Sequence, residues 1–258
     1  MSRALHAEWT KLRTVTATGW LLAGAVVLMV ALSAIVALAV SYSSTGPSQD
    51  LARLSLAGIY AGQAIVAIFA VQSISGEYST GMIRITLTAV PRRPTLLAAK
   101  AAVLTALILT AGAVAVLGSV LAGRLILPGK GFTATHGYAL LSLSDGPTLR
   151  AAAGSVLYLA LIALLSLGVA TAVRESAVAI GTVLGLLYVF PIIAALVSDP
   201  SLKRHLEQIA PMTAGLAIQA TTHLRNLPIA PWAGLGVLAA WAAAALLAGG
   251  ALFRLRDA

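Results

Sequence analysis

The chain is 258 residues long, 59% hydrophobic and only 10% charged, and it carries a formal charge of +9. Soluble domains hold roughly 25% charged residues, so a water-soluble core of this composition would lack polar surface, and lipid is the solvent the sequence requires. The basic residues are dispersed between apolar runs rather than interleaved with aromatics, which argues against nucleic acid as a partner, and the absence of cysteine excludes disulfides and thiolate chemistry.

The first element is a leader over residues 1–18. Leu5, Trp9 and Leu12 recur at i, i+4 and i+7, while Arg3, Glu8 and Lys11 take other faces. That spacing predicts an amphipathic helix lying in the headgroup layer. Six apolar segments long enough to cross the hydrocarbon follow, over 19–40, 56–74, 98–122, 151–173, 177–197 and 231–253. The first could be mistaken for a secretory leader, since Ala37-Leu38-Ala39 resembles a cleavage site. Its apolar run exceeds the usual 7–15 residues, so it is expected to stay as a helix. Trp20 and Tyr42, about 33 Å apart along a helix, and Trp232 are expected to anchor that span and the last one at the interfaces.

Six spans place both termini on one side. The Lys/Arg bias puts Lys11, Arg13, Arg84, Arg92, Arg93 and Arg174 on that side, with Arg53, Arg124, Lys130 and Arg150 among the residues on the other. Both termini are therefore expected in the cytoplasm. The connection 76–100 then faces the cytoplasm as well, and it is too long and too polar for a mere turn. Glu77 opens it, Gly81 allows a break, and Ile83, Leu87 and Val90 share a helical face ringed by Arg84, Arg92 and Arg93. Pro91 and Pro94 are expected to end this helix before Lys100 enters the third span. Residues 82–90 also alternate like a strand, but a lone strand would leave its edges unpaired, so a short surface helix is the expectation.

Further along, residues 123–150 are rich in Gly, Pro and Ser and read as an irregular outer loop, while Arg174-Glu175-Ser176 form a tight turn. In the outer region 198–230, "SLKRHLEQIA" is helix-compatible. "PMTAGLAIQATTHL" is apolar but too short to span, which suggests a re-entrant or interfacial segment.

Chemical motifs are missing. "LPGKG" at 127–131 fails as a phosphate loop, with Arg124 where Gly is needed and Gly131 where Ser or Thr is needed. His136, His205 and His223 form no zinc pattern, and His136 and His223 are expected to be solvated. The Asp and Glu residues lie outside the predicted spans, which disfavours coupling to protons through membrane carboxylates. No catalytic or metal site is expected.

The "EWTKLR" leader, the six spans and the loop "GEYSTGMIRITLTAVPRRPTLLAAK" together resemble the type-2 permease family of ATP-binding cassette transporters. Glu77, Gly81, Pro91, Arg92 or Arg93 and Lys100 match that family's loop pattern in order, and "APMTAGLAIQA" fits its re-entrant region. The resemblance implies an all-α membrane protein with six transmembrane helices over 19–258, in the bacterial plasma membrane. It implies two permeases, identical or related, and two separate ATPase subunits that bind ATP and Mg, so that this chain itself holds no cofactor. Glu77, Gly81, Arg84, Pro91, Arg92, Arg93 and Lys100 would form the ATPase-coupling loop. The substrate route would run between the second and fifth spans of paired subunits, lined by Gln63, Phe69, Thr182 and Tyr188. Export of a hydrophobic or amphipathic substrate follows from the family's habit. The alternatives are a secondary multidrug-type transporter and a non-transporting assembly subunit.

Overall fold

Helices account for most of the described backbone. The computed structural model describes residues 5, 8–10, 16–44, 48–89 and 92–255. Within these the helices are α1 (Thr16–Ala39), α2 (Leu51–Ser55), α3 (Ile59–Ser79), α4 (Met82–Ala89), α5 (Arg93–Ile126), α6 (Gly146–Val173), α7 (Ser176–Leu196), α8 (Pro200–Ile209), α9 (Pro211–Leu216) and α10 (Pro231–Leu255). Six of them, α1, α3, α5, α6, α7 and α10, are long and apolar enough to cross a membrane, and the chain is an all-α membrane protein with six such helices. Several run further than expected, two of them toward Lys100. α3 continues to Ser79 and α5 starts at Arg93, because a helix needs its backbone bonds closed whether or not its end is apolar.

Proline sets several of the starts. Pro94, Pro147, Pro200 and Pro211 each occupy the first turn of a helix, where the missing N–H has no intrahelical partner to lose. Pro94 therefore opens α5 rather than closing the helix before it. Stops are equally local. Gly81 adopts φ +71° and terminates α3, its N–H donating to Tyr78 O at 3.2 Å; a left-handed residue with no Cβ turns the chain there without strain. Between α6 and α7 the turn is as short as expected. Arg174 takes φ 68°, and the Glu175 carboxylate caps α7 by accepting from Ala177 N at 2.9 Å and Val178 N at 2.6 Å. Those two backbone donors, Val178 first, hold the Glu175 carboxyl below its ordinary range.

α6 is the hub. It packs against α10, α3, α5 and α7, and a larger share of it is buried than of any other spanning helix. α1, α7 and α10 keep most of their surface exposed, as lipid-facing helices should, with Val27, Ile35, Ile192, Leu196 and Leu247 outward. The α6–α10 contact is close because both helices offer glycine where they cross. A Cβ on Gly168 would lie 2.5 Å from Ala245 C, and one on Gly249 would lie 2.4 Å from Gly168 O. Without a hydrophobic drive inside lipid, such backbone approach is what holds helices together. Gly249→Val is expected to destabilise the bundle by about 3 kcal/mol, the upper end for forced overpacking. Chemical unfolding in detergent would measure it.

At the end of the bundle away from Lys100, loops lock together. Asp50 caps α2 through Arg53 N at 3.2 Å. It also accepts from Thr221 N at 2.6 Å, Thr221 Oγ1 at 2.7 Å and Thr222 N at 3.1 Å. Tyr42 stacks on His136 at 4.1 Å and meets Phe132 and Tyr138 edge-on. His136 Nδ1 in turn lies 2.8 Å from Gly131 O, and His223 Nε2 lies 2.7 Å from Ser48 Oγ. Both histidines are thus exposed but partnered. The apolar segment after α8 is short and largely buried: Pro211, Met212, Ala214 and Leu216 of α9 pack between α10, α7 and α6.

Candidate functional site: a buried ion cluster and a surface helix

Among the described residues, Glu77 is the only carboxylate within a membrane-spanning helix, and it is 3% exposed. It sits in the last turn of α3, facing Lys100 in the second turn of α5. Lys100 is itself 4% exposed. Its ammonium donates to Glu77 Oε1, to Glu8 Oε2 at 2.8 Å and to Ser73 O at 3.3 Å. An ammonium has three donors and no acceptor, so every N–H of Lys100 is used. Burying one charge alone would be prohibitive; two carboxylates around one ammonium make the burial tolerable.

Glu8 is the part of this cluster that sequence patterning missed. Residues 8–10 are helical, with Glu8 buried and Trp9 45% exposed, while Leu5 is half-buried. The predicted face of Leu5, Trp9 and Leu12 omits the residue that carries the contact; Leu12 lies outside the described residues. A signal did exist. Glu8 is the only acidic residue in the first 49, in a leader otherwise basic. Its partner, 92 residues away, could not be read from spacing.

Next to the cluster, Met82–Ala89 forms the predicted short helix α4. It is tied down by one face. Ile83 is buried with Leu96 of α5 and Phe253 of α10, and Leu87 packs on the same group. The opposite face carries Met82 at 44% and Ile85 at 69% exposure, with Thr88 also outward. Arg93 fastens the following turn: Nη1 donates to Phe253 O at 2.6 Å and the guanidinium lies 5.7 Å from the Phe253 ring centroid. Arg174 covers Tyr78 at 5.2 Å, and Ser176 Oγ donates to Ser75 Oγ at 2.8 Å. Arg92 is exposed. Pro91 and the side chain of Arg84 lie outside the described residues. The polar connection is thus braced on α3, α5, α10 and the α6–α7 turn. Glu77, Lys100 and Arg93 find partners inside the chain, and the open face of α4 presents Met82 and Ile85 between polar Thr88 and exposed Arg92.

The four residues expected along a substrate route divide into two layers. Gln63 is completely buried, donating to Tyr60 O at 3.2 Å and to Met212 Sδ at 3.3 Å and accepting from the Tyr158 hydroxyl. Phe69 is buried in the main core. Thr182 faces outward on α7, its hydroxyl returned to Val178 O at 2.7 Å. Tyr188 is half-buried and donates to Tyr60 O. Gln63 and Tyr188 therefore share Tyr60, while Phe69 and Thr182 stand apart. No group of His, Asp or Glu able to hold a metal occurs among the described residues.

Six spanning helices with a charged cluster at one end make this a multi-pass membrane protein. The profile of the ABC-2 family transporter proteins matches residues 4–198, well over half of the chain. The protein belongs to that family, and it is a membrane permease of ABC-2 type. The match takes in Glu8, Glu77, Lys100 and all of α1 through α7, and stops before α8. No curated protein matches the chain.

Proposed function

We propose that the chain is the membrane half of an ATP-driven exporter in a bacterial plasma membrane, with both termini in the cytoplasm. Two permeases, identical or related, pair with two separate ATPase subunits, which bind the ATP and Mg. The observation that carries this reading is α4: a short helix held by Ile83 and Leu87, with Met82 and Ile85 left open beside a braced ion cluster. An apolar face of that kind is what a groove on a soluble partner would grip. Glu77, Gly81, Pro91, Arg93 and Lys100 then act mainly by fixing the loop, while Arg84 and Arg92 meet the ATPase.

Movement of α4 would pass into α3 and α5 through Gly81 and the Glu77–Lys100 pair, and from Lys100 to the leading helix through Glu8. The leading helix, with Leu5 and Trp9 toward lipid, lies in the headgroup layer. The substrate path runs between α3 and α7 of the paired subunits, with Thr182 and Tyr188 lining it and Gln63 and Phe69 behind them; α9 enters the bilayer from the outer side to close its far end. An apolar path suits a hydrophobic or amphipathic substrate. Coupling to a proton gradient is disfavoured because Glu77, the membrane carboxylate, is held by Lys100 rather than open to water.

Expression with tagged permease should bring down a soluble ATPase, and the reconstituted complex should move substrate only with ATP. The purified chain alone should not hydrolyse ATP. Transport by the chain alone, driven by a proton gradient, would overturn this reading in favour of a secondary transporter.

A further inference from the structure

On the lipid-facing surface, α5 and α10 separate at the Lys100 end and leave a groove of about 440 Å³. Pro94, Leu97, Ala98 and Ala101 form one wall and Leu246, Leu247, Gly250 and Ala251 the other, with Phe253 and Arg254 at the end. The walls run about 10–12 Å along the helices at 1.5 Å per residue. Gly250 keeps the floor low: a Cβ there would just touch Leu97 Cδ1's sister methyl, Cδ2, at 3.4 Å, and anything larger would point into the groove.

Charge is arranged along this groove in one direction. Its inner length is apolar. Its outer end carries Arg254, which is exposed and, among the described residues, has no hydrogen-bond or ion-pair partner. Arg93 crosses from α5 to the Phe253 carbonyl and closes the same end, and exposed Arg92 precedes it. Lys100, at the same depth as the groove, is turned to the other side of α5 and bound by both Glu8 and Glu77, so that cluster adds no positive charge to the groove. The cationic field at the mouth is therefore that of the arginines. Arg256 and Asp257, beyond the described residues, cancel in charge.

We infer that this groove binds one anionic phospholipid, an acyl chain lying between α5 and α10 and the phosphate held by Arg254 with Arg92 and Arg93. The occupant follows from the position and the charge. The groove opens onto the hydrocarbon at its inner end and onto the headgroup layer at its basic end, and basic pockets between membrane helices select anionic headgroups. The inference is independent of which partner energises the chain.

The test is native mass spectrometry of the full chain released from nanodiscs of equimolar phosphatidylglycerol and phosphatidylcholine. Wild type is expected to retain one phosphatidylglycerol in preference to phosphatidylcholine. Arg254→Gln should lower that preference about fivefold, the equivalent of one basic residue at an anionic surface. Gly250→Leu should remove the retained lipid of either kind, and Ala251→Phe, at an exposed position, does the same should Gly250→Leu fail to fold. Equal retention of both lipids by wild type would overturn the proposal, as would unchanged preference in both groove-filling variants. A lipid-free dimer cross-linked through Leu247→Cys would overturn it too, by giving the groove to a second copy of the chain.

Discussion

Lys100→Met is expected to destabilise the protein by about 3–5 kcal/mol, the cost of leaving buried charge without its counter-charge. The substitution keeps volume and helix propensity but strands Glu8 and Glu77, both nearly inaccessible to water. Neutralising all three, with Glu8→Gln, Lys100→Met and Glu77→Gln together, should recover most of the loss, since a buried ion cluster is often worth little more than neutral groups of its shape. Glu8→Gln alone should cost less, because Lys100 keeps Glu77 and Ser73 O. It should nevertheless reduce transport if the leading helix moves with α5. Denaturant midpoints in detergent, with transport at matched membrane levels, measure both effects. A Lys100→Met protein as stable as wild type would show that the cluster holds nothing together.

That cluster marks the boundary of what the sequence discloses. Spans were legible because an 18–20-residue apolar run has few other physical uses. The turn at Arg174-Glu175-Ser176 and the helix at α4 were legible because caps and faces are local. Glu77 and Lys100 could be singled out as polar residues at apolar borders. Their bond to each other could not, because it depends on α3 and α5 extending beyond their apolar segments until the two side chains are level. Glu8 was harder still: an acidic residue on a basic amphipathic helix reads as its solvated face, and only tertiary placement turns it inward. Gln63 and Phe69 show the same limit within lipid. The composition of an all-apolar helix does not say which side faces a neighbour, so the bonds of Gln63 with Tyr158 and Met212 could not be read from spacing. The stacking of Tyr42 on His136 likewise leaves no mark in local spacing.

Ile85→Glu should separate the two roles of the polar connection more sharply than any change in the ion cluster. Ile85 is 69% exposed on α4, so a charge there meets water in the isolated chain, and folding should shift by no more than about 0.5 kcal/mol. In a complex, the same side chain would sit at the centre of the ATPase contact. Losing an apolar anchor from such a centre costs about 2 kcal/mol or more, and the buried carboxylate adds its own desolvation. The ATPase should therefore bind at least about 30-fold more weakly, with co-purification and substrate-stimulated hydrolysis falling together while membrane levels stay level. Ile83→Glu supplies the contrast. It places a charge against Leu96 and Phe253, so it should reduce stability first and coupling only as a consequence. If Ile85→Glu keeps its ATPase and its transport rate, α4 is only a connector. The coupling surface would then have to be sought on the leading helix or at the Arg174 turn.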